Sequence, residues 1–234
     1  GMTRVTVLLG GLSSEREVSL SSGREIAAAL REAGFEVATL DPGPDLGAVV
    51  AGITATRPDV VFNALHGRFG EDGSIQGVLD WMGIPYTHSG LRASAIAMDK
   101  AAAKGAFAAA GLPVAPHRLL EASALAEADP LPFPYVVKPV REGSSVGVHI
   151  LRGGDNRRAE IAATWEWGEI IAEPYIPGRE LTVAVMEDRA LAVTEIDTSR
   201  RSLPTRPSAA AASRAATSAG TTAALARRGW CCWR

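Results

Sequence analysis

Short apolar runs alternate with helix-like segments through the first part of the chain. The runs end at glycine, proline or polar clusters, as buried strands do, and lie at residues 5–9, 35–40 and 59–65. Between the first two runs, apolar residues recur at helical spacing and stop at Gly34, with Ser21 or Ser22 as the predicted N-cap. A second helix is predicted at 46–56. This β-α-β-α-β order predicts a parallel sheet with helices on both faces and ligands at the carboxyl ends of its strands.

The pattern changes in the second half of the chain. Helices are predicted at 74–82 and, in two pieces broken near Asp99, at 91–111. From Ala115 onward, strand-like runs follow one another through short turns, which is typical of antiparallel sheets. Shorter elements are predicted as strands at 117–120, 135–137, 169–172, 180–186 and 189–196, and as helices at 121–128 and 159–167. We therefore expect an α/β domain at 1–92 and a mainly antiparallel α+β domain at 93–196.

Composition narrows the classes of function. Hydrophobic residues make up 47% and charged residues 21% of the chain, as in soluble globular proteins. No apolar run approaches the roughly 20 residues that span a bilayer, and no signal-peptide pattern opens the chain, so we expect a cytoplasmic protein without membrane contact. No basic patch in residues 1–196 invites nucleic acid. The adjacent Cys231 and Cys232 are the only cysteines and indicate no disulfide framework.

A glycine- and serine-rich segment, REGSSVG at 141–147, joins two apolar runs and follows Lys138. Its backbone N–H groups and the lysine could converge on a phosphate. The spacing differs from that of a P-loop, whose lysine follows the glycines at a helix start. The residues alone leave two alternatives open, a phosphate-covering loop and an ordinary β-hairpin turn.

Lysine is scarce, since only Lys100, Lys104 and Lys138 occur beside 21 arginines. With Asp99 as a predicted helix cap, Lys100 falls in the first helical turn, where the helix dipole disfavours a cation. An anionic ligand would explain this position, and a solvated side chain is the simpler alternative. His66 follows the third strand in a loop rich in glycine, and it either bonds to local backbone or faces a substrate.

Five blocks taken together resemble the D-alanine–D-alanine ligases of the ATP-grasp superfamily. They occur in the order and with the spacing of that family: GGLSSEREVSLSSG, LHGRFGEDGSIQG, MDK, VVKPVREGSSVGV and EPYIPGRELTVAV. The resemblance covers residues 4–196. It implies a parallel α/β N-terminal domain that binds substrate, followed by an ATP-grasp domain.

The resemblance also implies a reaction. ATP phosphorylates the carboxylate of one D-alanine, and the amino group of a second attacks the acyl phosphate, giving D-alanyl-D-alanine for peptidoglycan. ATP and Mg²⁺ are the implied cofactors, and a homodimer is the implied assembly. Two alternatives remain: a D-alanyl-D-lactate or other ATP-grasp carboxylate–amine ligase, and a non-catalytic nucleotide-binding remnant.

Residue roles carry over from the family's motifs. Glu15 is expected to hold the ammonium of the first D-alanine, with Val18 and His66 around it, and Ser144 to lie near substrate and transferred phosphate. Glu15 and Ser144 are thus the expected catalytic residues. The expected ATP-binding residues are Lys100 and Lys138 at the phosphates, Ser144 and Ser145 in the loop, Glu173 and Ile176 at the adenine, and Glu180 at the ribose.

The resemblance stops after Ile196. The family's ω-loop and its acidic Mg²⁺ ligands have no counterpart in residues 197–234, which hold seven arginines and the single acid Asp197. We interpret this segment as an atypical tail that arose by a shift of reading frame, with an adapted basic tail as the alternative. The ATP-grasp domain is then expected to be incomplete and to lack metal ligands. From the sequence we expect little or no ligase turnover by the chain as written.

Overall fold

A computed structural model describes residues 1–143, 145–186 and 189–196, together with the backbone of 230–232. The chain begins with a parallel sheet in the order β2-β1-β3. Its elements are β1 (Arg4–Leu8), α1 (Arg16–Glu32), β2 (Glu36–Leu40), α2 (Leu46–Thr56) and β3 (Val60–Asn63). The predicted parallel sheet is confirmed, and α2 has the predicted bounds.

Alternate residues of β1 enter two different cores, because successive side chains of a strand point to opposite faces. Val5 and Val7 pack with Ala27 and Leu30 of α1. Leu8 packs on the other face, in a cluster that contains residues of α2 and of the later helix α3 (Ser74–Met82). The prediction of helices on both faces is therefore confirmed.

Helix α1 begins at Arg16, so the predicted start at Ser21 or Ser22 is wrong. Glu15 is the N-cap residue, and Ser22 donates its hydroxyl to the carbonyl of Val18 inside the helix. The apolar periodicity missed the first turns because their polar side chains contact loops at the edge of the sheet. Ser19, for example, is buried among hydrogen-bonding partners and contributes nothing to an apolar stripe.

Three helices connect the two halves of the chain, and their predicted bounds are confirmed closely. They are α3, α4 (Leu91–Met98) and α5 (Lys100–Ala109). Asp99 separates α4 from α5 and caps α5, since its carboxylate accepts a hydrogen bond from the backbone N–H of Ala102 at 2.9 Å. Lys100 is accordingly the first residue of α5.

A four-stranded antiparallel sheet follows, in the order β4-β7-β5-β6. Its elements are β4 (Arg118–Leu120), α6 (Ala122–Glu127), β5 (Tyr135–Pro139), β6 (His149–Leu151), α7 (Arg158–Ala163) and β7 (Ile170–Pro174). The helix predicted at 159–167 ends early, at Ala163. Beyond it, Trp165 and Trp167 pack edge to face with ring centroids 5.0 Å apart.

The two faces of this sheet differ in character. Tyr135 and Val137 of β5 share a core with residues of α6 and α7. Because β5 pairs with β7 in antiparallel register, Val136 and Lys138 lie on the opposite face together with Ile171 and Glu173. This second face carries an ion-pair cluster and is the part of the fold that positions the candidate site.

A second antiparallel sheet has the order β10-β8-β9 and contains β8 (Glu180–Met186), β9 (Arg189–Ile196) and β10 (Trp230–Cys232). The predicted pair of strands is confirmed, and Leu181 of β8 is 49% exposed. The strand at 230–232 lies where the sequence indicated none. The predicted turn at 187–188 and the tail at 197–229 and 233–234 lie outside the described residues.

Candidate functional site

The loop after β1 is anchored by an ion pair. Asp41, just beyond β2, accepts hydrogen bonds from the guanidinium of Arg16 at 2.8 and 2.5 Å and from the backbone N–H of Gly11 at 3.0 Å. The hydrogen bonds from Arg16 hold the pKa of Asp41 below its ordinary value. Arg16 also donates to the carbonyl of Gly11. The start of α1, and with it Glu15, is thereby fixed relative to the edge of the sheet.

Ser19 ties the same loop to the third strand. Its buried hydroxyl accepts a hydrogen bond from the backbone N–H of Gly10 at 2.9 Å and donates one to the carbonyl of Ala64 at 2.7 Å. The ends of β1 and β3 are thus joined through one side chain of α1. Both lie at the carboxyl edge of the sheet, where ligands of such folds bind.

Glu15 lies between two glycines from separate loops. A Cβ atom built on Gly143 would stand 2.8 Å from Glu15 Oε2, and one built on Gly67 would stand 3.4 Å from it. Within the described residues, no side chain or backbone group forms a hydrogen bond or ion pair with this carboxylate. The structure therefore places this carboxylate, unpaired among the described residues, where the loops after β3 and β5 meet.

An opening of about 300 Å³ lies on this side of the molecule. Ser13 and Ser14 line it from one side, and Glu142 and Trp167 from the other. A larger cavity, of about 340 Å³, extends along the carboxyl edge of the parallel sheet as far as His66. Most of its wall is apolar, so it is poorly suited to a small zwitterion.

His66 occupies the loop after β3 and is half-buried. Its Nδ1 atom lies 3.9 Å from Glu71 Oε1, and its buried Nε2 atom has no hydrogen-bond partner among the described residues. Burial acts to raise the pKa of Glu71, but the interactions with His66 and with the N–H of Gly67 outweigh it and lower that pKa. A buried ring nitrogen without a partner among the described residues is unusual, because buried polar atoms are normally hydrogen-bonded.

The loop after β5 is fixed from both sides. At Gly147, φ is +65°, and an added Cβ would stand 2.8 Å from Pro139 Cγ and 2.9 Å from the ring of Trp167. A side chain at this position would therefore be excluded. On the other side, Lys100 donates from Nζ to the carbonyl of Glu142 at 2.6 Å. The loop thus forms a hairpin turn, and it also contacts both Glu15 and a lysine.

All three lysines of the chain gather beside this loop, in a group we call the lysine cluster: Lys100, Lys104 and Lys138. The carboxylate of Glu173 pairs with Lys104 through Oε1 and with Lys138 through Oε2, the latter at 2.5 Å. Burial lowers the pKa of Lys100, and the positive charge of Lys138 lowers it further. Such mutual repulsion indicates an excess of positive charge that an anion would relieve.

The structure brings together several of the residues that the sequence predicted. One connected region around the loop after β5 contains Glu15, Lys100, Lys138 and Glu173. Glu173, expected beside an adenine amino group, has both oxygens engaged by lysines. Val18 is 41% exposed, one helical turn from Glu15, and Ile176 is 67% exposed. Ser144 lies outside the described residues.

The remaining predicted residues are exposed and less connected. Ser145 contributes its carbonyl to the turn by accepting from the N–H of Val148 at 3.3 Å. Glu180 begins β8, where it pairs with Ile196 of β9, and within the described residues its carboxylate makes no hydrogen bond or ion pair. Lys104 was not among the predicted residues. Two signals could have identified it: lysine is scarce, and Lys104 follows Lys100 by one helical turn, on the same face of α5.

A parallel α/β unit followed by two antiparallel sheets, with a cationic cluster on one sheet face, defines an ATP-grasp protein. The structure is similar to that of D-alanine–D-alanine ligase from Bacillus anthracis, with a TM-score of 0.71 and 28% identity over 95% of this chain and 79% of that one. A second structure of that enzyme, complexed with ATP, matches equally well, with a TM-score of 0.71.

Sequence comparisons identify the family. The family model "D-ala D-ala ligase N-terminus" matches residues 46–89, and "D-ala D-ala ligase C-terminus" matches 106–203. D-alanine–D-alanine ligase from Acidiphilium cryptum is 70% identical over 196 residues, which are 83% of this chain and 65% of that protein. The same enzyme from Granulibacter bethesdensis is 66% identical over 82% of this chain and 63% of its own length. The chain belongs to the D-alanine–D-alanine ligase family.

The chain covers only part of the length of these relatives, and this affects how function is assigned. The chain spans slightly less than two thirds of the length of these relatives, 65% and 63%. The C-terminal family model extends to residue 203, past the predicted end of the resemblance at Ile196. Since these relatives are D-alanine–D-alanine ligases, the comparisons do not favour the two alternatives, which are a D-alanyl-D-lactate or other ATP-grasp carboxylate–amine ligase and a non-catalytic nucleotide-binding remnant.

Proposed function

We propose that this chain binds ATP and D-alanine for the ATP-dependent joining of two D-alanines into D-alanyl-D-alanine. The observation that carries the proposal is the arrangement around the loop after β5. Glu15 contacts the loop at Gly143, and Lys100 contacts it at the neighbouring carbonyl of Glu142. An anion site and a site for an ammonium group therefore flank the same loop, as a reaction between ATP and an amino acid requires.

For the nucleotide, we propose the sheet face that carries Val136, Lys138, Ile171 and Glu173. Its apolar residues suit a purine ring, and the lysine cluster suits the phosphates. Lys100 and Lys138 are the proposed phosphate-binding residues. Ile176 and Glu180, on the connection to the second antiparallel sheet, are proposed to complete the adenine pocket and to accept hydrogen bonds from the ribose hydroxyls.

For the first D-alanine, we propose the opening lined by Ser14 and Glu142, which are the chain neighbours of Glu15 and Gly143. The ammonium group would pair with the free carboxylate of Glu15, which has no competing partner among the described residues. Gly67 and Gly143 carry no side chains that would crowd this carboxylate. Val18 and His66 are proposed on the resemblance alone to complete the site, since His66 lines the neighbouring apolar cavity and neither residue lines this opening.

The reaction proposed is transfer of the γ-phosphoryl group of ATP to the carboxylate of the first D-alanine. The amino group of the second D-alanine then attacks the acyl carbon, the C–O bond to phosphate breaks, and the products are D-alanyl-D-alanine, ADP and phosphate. An acyl phosphate must be shielded from water. The loop after β5 is the proposed cover, and Ser144 and Ser145 are its proposed contacts with the transferred phosphoryl group.

Mg²⁺ remains a prediction from the resemblance. Among the described residues, no group of three or more His, Cys, Asp or Glu side chains converges to hold a metal ion. The described donor set therefore does not fit the ion, and we assign no step to it. Within the described part of the chain, no helix has both the length and the apolar character that a membrane crossing requires.

Three further points belong to the proposal. Domains at 1–92 and 93–196 agree with the change from a parallel to an antiparallel sheet. A cytoplasmic location would give access to ATP. A homodimer is the expected assembly, which light scattering after size exclusion can test.

Titration calorimetry tests the function directly. We expect the chain to bind ATP, to bind D-alanine in the presence of a non-hydrolysable ATP analogue, and to lose D-alanine binding in Glu15→Gln. A matched control is Glu17→Gln, an exposed acid in the first turn of α1. Absence of ATP binding by a folded sample would contradict the proposal. ADP release with D-alanine then tests separately the sequence-based expectation of little or no turnover.

A further inference from the structure

Two lysines share one acid on the proposed nucleotide face. Lys104 and Lys138 contact different oxygens of Glu173, and the three side chains are 13%, 25% and 12% exposed. Ion pairs of such low exposure are costly to break on one side, since an uncompensated charge then remains in a poorly hydrated place. The carboxylate of Glu173 carries one negative charge, and one lysine would balance it. The fold of the sheet does not require the second lysine.

The two lysines differ in how they are held. Lys104 lies on α5, and α5 is fixed to the sheet because the backbone N–H of Lys100 donates to the carbonyl of Val140 at 3.0 Å. Lys138 lies on β5, has about twice the exposed fraction, and repels Lys100. Lys138 is therefore the lysine that gains more by moving its ammonium group onto an anion.

We propose that Lys104 is a positioning residue of the nucleotide site, which remains paired with Glu173 when Lys138 moves from that carboxylate to a phosphate of ATP. This inference rests on the proposed function. Without Lys104, departure of Lys138 would leave the Glu173 carboxylate unpaired, so Lys138 would stay where it is. Lys104 thus makes Lys138 available for the ligand.

The inference predicts a specific pattern of affinities. In Lys104→Met, which keeps the length of the side chain and removes its charge, we expect the dissociation constant for ATP to rise about tenfold or more. Adenosine carries no phosphate and does not require Lys138 to move, so its dissociation constant should change less than about threefold. Calorimetry for ATP and ligand-observed NMR for adenosine provide the two values.

A second substitution separates positioning from direct contact. Glu173→Gln removes the charge that retains Lys138, so in that background Lys104→Met should change ATP affinity by less than about twofold. The matched control is Arg157→Met, which removes a cation paired with Asp155 at 2.7 Å just before α7, in the helical layer on the other face of the same sheet. Circular dichroism and thermal unfolding check that each variant is folded.

The possible outcomes are distinct. Unchanged ATP affinity in folded Lys104→Met, while the parent chain binds ATP, overturns the inference and leaves the proposed function intact. An equal loss for adenosine and ATP indicates a structural role and also overturns it, as does a tenfold loss that persists with Glu173→Gln. If the folded parent chain binds no ATP, the proposed function fails first and the inference fails with it.

Discussion

The carboxylate of Glu15 lies directly against the backbone of Gly143, although Glu15 follows β1 of the parallel sheet and Gly143 follows β5 of an antiparallel sheet. A Cβ on Gly143 would stand 2.8 Å from Glu15 Oε2 and 3.7 Å from Cδ. A Cβ atom does not approach another heavy atom as closely as 2.8 Å, so either the carboxylate of Glu15 or the loop at Gly143 would have to move. Glycine at 143 thus allows the free carboxylate to occupy its position.

Gly143→Ala should weaken D-alanine binding without unfolding the protein. The clash involves the far end of a flexible side chain, so we expect Glu15 to turn away at little cost in stability, below about 1 kcal/mol. A displacement of about 1 Å should raise the dissociation constant for D-alanine roughly tenfold. Calorimetry with D-alanine and a non-hydrolysable ATP analogue measures the effect.

The control for that experiment is Gly153→Ala, in the turn after β6, where an added Cβ meets nothing within 4 Å. Its D-alanine affinity should equal that of the parent chain. Equal affinities in Gly143→Ala and Gly153→Ala would show that the position of Glu15 beside Gly143 is unimportant for substrate.

Ser19→Ala should destabilise the parallel sheet. The substitution removes the acceptor for the N–H of Gly10 and the donor for the carbonyl of Ala64, and both groups are buried. Leaving buried polar groups unsatisfied costs about 1–3 kcal/mol in the free energy of unfolding. Urea unfolding followed by circular dichroism measures this difference, and Ser22→Ala, which removes only a bond within α1, should cost less than about 0.5 kcal/mol.

Elements with strong local signals could be predicted from the sequence. Helix α2 has an Asp45 cap and Leu46–Thr56 as its bounds, and Gly83 ends α3 in a left-handed conformation with φ of +67°. The hairpin of β8 and β9 follows from alternation. In these places the local conformational preference and the tertiary structure agree, so the pattern alone was sufficient.

Tertiary contacts decided the parts that the sequence could not predict. The first turns of α1 are polar because Arg16 and Ser19 bond to loops at the sheet edge, so periodicity placed the helix start five residues or more too late. The pairing of Glu173 with Lys104 joins residues 69 positions apart. No spacing rule reveals such a pair, and the family motifs assigned Lys100 and Lys138 to the phosphates but gave no role to Lys104.

The affinity for ATP should begin to fall at a lower pH than it would if Lys100 had the ordinary pKa of a lysine. Burial and the charge of Lys138 lower the pKa of Lys100 in the ligand-free protein. Because ATP favours the protonated lysine, affinity should be greatest below this lowered pKa and should fall as the pH rises through it, at pH values below the ordinary lysine pKa of 10.5. Calorimetry over this range measures the effect.

The comparison variant is Lys100→Met, which binds ATP more weakly at every pH but should lose part of the pH dependence. A parent chain whose ATP affinity is constant up to pH 10 would contradict the assignment of Lys100 to the phosphates. The same holds if Lys100→Met retains the full slope, since the titrating group would then be another residue.

Acid should reduce the stabilisation that Glu173 provides. Burial acts to raise its pKa, but the hydrogen bonds from Lys104 and Lys138 outweigh burial, and the pKa is lowered. The unfolded chain therefore takes up the proton first as the pH falls. The stabilisation by this carboxylate is present above the ordinary glutamate pKa of about 4.3 and is lost as the pH falls through the lowered value in the folded protein.

Glu173→Gln should therefore be less stable than the parent chain at pH 7, by about 2 kcal/mol or more, because two poorly hydrated lysines lose their partner. The difference in unfolding free energy should shrink as the pH falls below the ordinary glutamate pKa and through the lowered pKa of folded Glu173, since the parent carboxylate is then protonated. Urea unfolding at several pH values measures it, with the exposed Glu127→Gln as a control that should change little. A difference that stays constant over this range would mean that the charge of Glu173 does not stabilise the fold.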